Sequence, residues 1–127
     1  MLKCIIVDDE PLAQEVLENY LQRIGGEIQL VKKCSNALDA FQALHDERID
    51  LLFLDIQMPV KGGFEVLKEL HDDKELMRIP VIILSNVDDE EAFRKAGKFE
   101  TRFYLIKSLV TPQKVVDTVR EALRLSL

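Results

Sequence analysis

The stretch Cys4-Ile5-Ile6-Val7-Asp8-Asp9-Glu10-Pro11 decides the architecture. Three of its four apolar residues are β-branched, and an unbroken apolar run suits a central strand covered on both faces. The acids end the run, and Pro11 stands where the first turn of a helix tolerates proline. A strand that stops in carboxylates and passes straight into a helix is one repeat of a parallel α/β sheet. Ligands of such sheets bind outside the carboxyl ends of the strands, near the point where strand order reverses.

The same alternation recurs along the 127 residues. The first strand is expected over Leu2 to Val7. A helical stripe of Leu12, Val16, Tyr20 and Ile24, with Leu17 and Leu21, follows and stops at Gly25-Gly26. Ile28 to Cys34 reads as a second strand. Asn36 then caps a helix whose inner face is Ala37, Ala40, Phe41 and Leu44. Leu51 to Leu54 forms the third strand and runs into Asp55. After the Met58-Pro59 and Lys61-Gly62-Gly63 loop, Phe64, Leu67 and Leu70 open a third helix.

Pro80 introduces a fourth strand, Val81 to Leu84. Asp88 with Glu91 three residues later resembles a capping box for a fourth helix, whose thin apolar face is Ala92, Phe93 and Ala96. A fifth strand spans roughly Thr101 to Ile106. Thr111-Pro112 then caps a final helix lined by Val115, Val119 and Ala122 with Val116 and Leu123. This pattern predicts one α/β domain over residues 1–127, doubly wound, with no linker, repeat or second domain.

Composition bounds the function. With 47% apolar and 31% charged residues and no run near the ~20 apolar residues of a membrane span, a soluble protein without a membrane contact is expected. The chain enters a strand with no leader-like segment, which favours a cytoplasmic location. A net charge of −6 argues against direct binding of nucleic acid through a basic surface. Cys4 and Cys34 both fall in apolar strand patterns and read as buried thiols in a reducing compartment, not as a disulfide or a metal pair.

Four strand ends carry reactive polar residues: Asp8, Asp9 and Glu10, then Asp55, Ser85 and Lys107. Carboxylates meeting on one rim would repel by about 4 kcal/mol per pair at ~4 Å and an effective dielectric of ~20, unless a cation joins them. Hard oxygen donors favour Mg²⁺, with Mn²⁺ the alternative, and Mg²⁺ completes its shell with water and substrate phosphate. A metal with Lys107 beside it would neutralise a transferring phosphoryl group, which is most of what such catalysis asks of a protein. Asp55, alone at its strand end, is the candidate nucleophile, and Ser85 would hydrogen-bond the phosphoryl oxygen. Each feature has a bland reading as well, since Asp after a strand is usually a cap or turn and acids before Pro11 would complement a helix N-terminus. It is the joint arrangement that points to phosphoryl transfer.

These residues, in this order, resemble the receiver domain of two-component response regulators. The matching segments are Ile5 to Pro11, Leu52 to Pro59 with Gly62 to Leu67, Ile79 to Ser85 and Tyr104 to Lys107. The resemblance implies a CheY-like (flavodoxin-like) fold with five parallel strands in order 2-1-3-4-5 and five helices. It implies Asp55 as the phospho-acceptor, Asp8 and Asp9 as the acidic pair, with Asp9 the direct Mg²⁺ ligand and Asp8 acting through water, and the backbone carbonyl of Gln57 as the third protein ligand. Ser85 matches the switch hydroxyl, Tyr104 the switch aromatic and Lys107 the phosphate-binding lysine. A histidine kinase, a phosphotransfer protein or a small acyl phosphate would supply the phosphoryl group. The readout would be a population shift at the face formed by the fourth predicted helix, the fifth strand and the final helix, which binds an unidentified downstream protein.

The resemblance further implies a signalling module that catalyses only its own phosphorylation and slow dephosphorylation, as a stand-alone receiver, monomeric or weakly dimeric. Ser108 follows Lys107 where many members have proline, and Gly97-Lys98-Phe99-Glu100-Thr101 lacks their Gly-Ala turn. The half through Leu67 resembles receivers that precede LytTR-type DNA-binding domains, whereas the end from Lys107-Ser108 to Thr111-Pro112 resembles stand-alone receivers, as in a mosaic. Two other classes stay open. A hydrolase of the haloacid-dehalogenase type would want an acid where Gln57 stands and a longer chain with a cap. A pseudo-receiver scaffold would not need so complete a site. No Gly-x-Gly-x-x-Gly follows the first strand, which disfavours a dinucleotide module. His45 and His71 fall on helix surfaces, and Tyr20 and Met58 read as packing and turn structure.

Overall fold

Strand residues alternate between two cores, and that alternation builds the molecule. In the computed structural model, residues 2–24, 27–58, 62–86, 94 and 103–126 are described, the side chains of 125–126 excepted. Five strands, β1 (Leu2–Val7), β2 (Ile28–Cys34), β3 (Leu51–Asp55), β4 (Val81–Ser85) and β5 (Phe103–Ile106), form one parallel sheet in the order β2-β1-β3-β4-β5. Four helices are seen among the described residues: α1 (Pro11–Gln22), α2 (Ala37–Asp46), α3 (Gly63–Asp72) and α4 (Pro112–Ser126). The sheet order is the one the family resemblance implied. The helix expected to open at Asp88, with its cap and its Ala92, Phe93 and Ala96 face, lies outside the described residues, as does the turn at 97–101.

Ile5, Val7, Leu52, Leu54 and Ile83 face α2 and α3, while Cys4, Ile6, Leu51, Phe53, Ile82 and Leu84 face α1 and α4. Every residue of β3 and β4 is buried, as a parallel sheet covered on both faces requires. Cys4 and Cys34 belong to opposite cores and are free thiols, so no disulfide joins them. Burial pushes the Cys4 thiol up to about 12 and the Cys34 thiol up to about 11. Both are therefore inert apolar packing. At the sheet edge, β2 inserts one extra residue opposite the Cys4–Ile5 step, so Cys34 ends opposite Val7 and turns inward.

The expected caps form. Asp39 N–H donates to Asn36 Oδ1 at 2.8 Å, and Lys114 N–H donates to Thr111 Oγ1 at 3.1 Å. Val115, Val119 and Ala122 line the buried face of α4 as expected. The stripe on α1 differs. Its buried face is Gln14, Leu17 and Leu21, whereas Leu12 is 76% and Val16 44% exposed. The reason is angular: Gln14, Leu17 and Leu21 lie three, four and seven apart on one face, and Leu12 and Val16 project to its side. Among the described residues no helix is long and apolar enough to cross a membrane.

Gly63, the first residue of α3, packs its backbone against the end of β3. A Cβ there would collide with the Asp55 carbonyl oxygen and stand 2.5 Å from Ile56 Cα. Both obstacles are backbone, so neither can swing aside. Gly63→Ala is expected to destabilise the protein by about 1–3 kcal/mol, the usual cost of overpacking. Gly62→Ala, whose added carbon meets Met58 O at 3.2 Å, should cost less. Urea unfolding of the two variants side by side checks the order.

Candidate functional site

The carboxyl ends of β1, β3 and β5 bring one lysine among three acids. Lys107, directly after β5, places its Nζ 2.8 Å from Asp8 Oδ2, 3.1 Å from Asp55 Oδ2 and 2.9 Å from Glu10 Oε1. Backbone pairing sets this up. Lys107 N–H donates to Ser85 O at 2.8 Å, which ties the residue to the end of β4, while Asp8 and Asp55 terminate strands hydrogen-bonded to each other. Burial alone would lower the ammonium's pKa, but the contacts with Asp8, Glu10 and Asp55 outweigh it and hold it above the ordinary lysine value. Lys107 is therefore a fixed positive charge.

Asp8 is fully buried. Its Oδ1 accepts the Glu10 N–H at 2.9 Å, while Oδ2 faces Lys107 and accepts no hydrogen bond of good geometry among the described residues. Asp55 is also buried, and its Oδ1 accepts the Gln57 N–H at 2.9 Å. Burial raises the Asp55 pKa, the Gln57 N–H opposes that, the Asp8 charge adds to it and Lys107 again opposes it, with a net rise. Asp9 is exposed at the rim, and its pKa is raised by desolvation and then by Asp55. Carboxylate oxygens of Asp8, Asp9, Glu10 and Asp55 all lie within 4.8 Å of one another. A buried carboxylate oxygen whose one close partner is the Lys107 ammonium, inside a ring of oxygen donors, suits a hard divalent cation. The residues present thus fit Mg²⁺ or Mn²⁺.

The other sequence-selected residues surround this cluster. Ser85 is fully buried at the end of β4, and its Oγ donates to Asn86 O at 3.0 Å. Gln57 sits in the turn after β3, where its Oε1 accepts the Asn86 N–H at 3.0 Å and so ties the β3 and β4 ends together. Tyr104 is half-buried on β5 and packs against the core on the α2–α3 side of the sheet. Tyr20 packs partly buried against the opposite core, Met58 is buried, and His45 and His71 are exposed on their helices.

One residue was seen in the sequence without its partner, and another escaped it altogether. Glu10 precedes Pro11 at the N-cap position of α1, yet its side chain makes no cap hydrogen bond and goes to Lys107 instead. Gln14 is 8% exposed, and its Nε2 donates to Asp8 O at 2.6 Å and Cys34 O at 3.1 Å. Its signal was its spacing from Leu17 and Leu21, which puts an amide on a face otherwise apolar.

A solved structure similar to this fold is the chemotaxis protein CheY4 of Vibrio cholerae, 22% identical with a TM-score of 0.83 over 96% of this chain and 98% of that one. Another is a response regulator of Chloroflexus aurantiacus J-10-fl, 24% identical with a TM-score of 0.87 over 97% and 98%. In sequence, the chain is similar to the transcriptional regulatory protein BtsR of Escherichia coli (strain K12), 41% identical over 109 residues, covering 86% of this chain and 43% of BtsR. It is also similar to the transcriptional regulatory protein MalR of Bacillus subtilis (strain 168), 36% identical over 107 residues, covering 84% and 44%. The chain thus spans less than half the length of these curated relatives. The response regulator receiver domain matches residues 4–120, from the first strand into the final helix. With that match and the β2-β1-β3-β4-β5 sheet behind it, the chain belongs to the response regulator receiver family.

Proposed function

We propose that this chain, as one receiver unit over residues 1–127, accepts a phosphoryl group on Asp55 in a reaction dependent on Mg²⁺. The observation that carries this reading is Lys107 Nζ standing between Asp8 and Asp55 at 2.8 and 3.1 Å, inside a ring of four carboxylates. Asp8, Asp9, Asp55 and the backbone carbonyl of Gln57 would hold the cation. When bound, Mg²⁺ supplies positive charge that offsets the carboxylates and the oxygens of an incoming phosphoryl group.

The chain's own residues do the rest. The Gln57 N–H fixes the rotation of the Asp55 carboxylate, so one of its oxygens can be presented in line to phosphorus. A bond forms between that oxygen and phosphorus while the donor's P–N bond (a phosphohistidine) or P–O bond (an acyl phosphate) breaks, and the donor leaves with the electron pair. Lys107 exchanges its exposed Glu10 contact for a phosphoryl oxygen as charge gathers there. Ser85 Oγ, now on Asn86 O, turns to the phosphoryl group, and Tyr104 responds by moving further into the fold.

Partners are proposed to read this change at β5 and α4, with the helix expected after Asp88. A depression of about 540 Å³ lies there, lined by Tyr104, Leu109, Val110 and Lys114 among others. A histidine kinase or phosphotransfer protein is the proposed donor. The names of the curated relatives make transcriptional regulation the proposed context, in the cytoplasm. A net charge of −6 favours a protein partner over direct contact with nucleic acid.

Intact mass spectrometry after incubation with acetyl phosphate and Mg²⁺ tests the reading. A gain of one phosphoryl group is expected in the wild type, none in Asp55→Asn and none with a chelator. Steady turnover of phosphate esters with no adduct would instead mark a hydrolase, and neither adduct nor turnover a scaffold.

Stability gives a second test, with its sign set by the Asp55 titration. A carboxyl raised in the folded state contributes stability that is full below its unfolded pKa and is lost as pH rises through the folded value. Without metal, Asp55→Asn should match the wild type at acid pH and become more stable by about 1 kcal/mol toward neutral pH, a common size for a single substitution. In saturating Mg²⁺ the order should invert, because the variant loses a ligand. Thermal melts across pH, with and without Mg²⁺, check both limbs.

A further inference from the structure

A buried amide costs free energy unless its groups are satisfied, and Gln14 occupies a place on the inner face of α1 whose neighbours are Leu17 and Leu21. Both hydrogens of its NH₂ are used, one on Asp8 O at 2.6 Å and one on Cys34 O at 3.1 Å. Because both partners are carbonyls, the nitrogen must be the atom that faces them. Cys34 O also accepts the Asp8 N–H at 2.9 Å. Asp8 is therefore held by its N–H and by its C=O.

That C=O belongs to the peptide joining Asp8 to Asp9. A peptide plane gripped at its oxygen cannot rotate about the bonds on either side, so the clamp sets the direction in which both acids leave the backbone. The Asp8 side chain adds a third restraint by accepting the Glu10 N–H. We infer that Gln14 is a positioning residue for the acidic pair: from α1, its amide locks the Asp8–Asp9 peptide so that both carboxylates aim at one cation. This rests on the metal-dependent reading above. Partners one step removed from a metal's ligands commonly alter affinity 10- to 100-fold when lost.

The test measures Mg²⁺ affinity on the metal-free protein, by calorimetry and by the amide shifts of Asp8 and Asp9 in NMR titration. Gln14→Met keeps the bulk of the side chain and removes the donors. It should weaken Mg²⁺ binding about tenfold, with altered Asp8 and Asp9 amide signals before any metal is added. Leu17→Ala is the structural control: it should lower the melting temperature at least as much and leave Mg²⁺ affinity unchanged. Should Gln14→Met not fold, Gln14→Asn, which withdraws the amide by one methylene, carries the same expectation. Unchanged affinity in the Gln14 variant, or an equal loss in Leu17→Ala, would overturn the positioning role alone. A wild type that binds no Mg²⁺ would overturn the metal site and this inference with it.

Discussion

Four carboxylates with oxygens within 4.8 Å of one another share a space with one ammonium that pairs with three of them, and the rest of the molecule is arranged to keep them there. At such separations each like-charged pair costs a few kcal/mol even with the screening typical of a protein. Lys107 offsets part of this, which is why its proton is held more firmly than an ordinary lysine's despite burial. One positive charge cannot balance four negative ones. The folded state without metal thus carries uncompensated repulsion, which adds to burial, the larger cause, in raising the pKa values of Asp55 and Asp9.

Such repulsion persists only if the framework around it is stiff. The sheet provides this through two dry cores whose strand residues alternate between α2 with α3 and α1 with α4. Asp8 directly follows β1 and Asp55 ends β3, each after a buried apolar run, so the backbone of both is fixed by a packed strand. Gly63 presses α3 directly onto the backbone of Asp55 and Ile56. Gln57, through its N–H on Asp55 and its Oε1 on the Asn86 N–H, couples the β3 end to the β4 end, where Ser85 waits. A change at Asp55 therefore has a short covalent and hydrogen-bonded route to Ser85 and on to β5.

Much of this was legible in the residues alone. The bounds of β1 follow from an apolar run and those of β2 from Ile28, Leu30, Val31 and Cys34, and the caps at Asn36 and Thr111 from side chains suited to those positions. The convergence of Asp8, Asp9 and Asp55 follows from parallel topology, which puts strand ends on one rim. What escaped was set by angle and by competition. Leu12 and Val16 satisfy helical spacing with each other but lie off the face that Leu17 and Leu21 bury, and a list of apolar positions cannot show which of two overlapping stripes turns inward. Glu10 was read only as one of the strand-end acids, which beside Pro11 could also complement a helix N-terminus. A cation one residue beyond β5, distant in sequence, offered its carboxylate a stronger partner than a backbone N–H.

Charge also orders what can happen at the rim. Four carboxylates against Lys107 leave three negative charges uncompensated, and a dication would leave one. The phosphorylation proposed above would replace the single charge of Asp55 with a phosphoryl group carrying close to two, so the modified site would need a cation more than the unmodified one. Lys107 would then have to choose. Its contacts with buried Asp8 and Asp55 are sheltered, whereas Glu10, with its side chain 55% exposed, holds it through a carboxylate that water can readily solvate. The Glu10 contact is the cheapest to give up, which makes it the one through which the ammonium can turn toward a new anion without abandoning the buried acids.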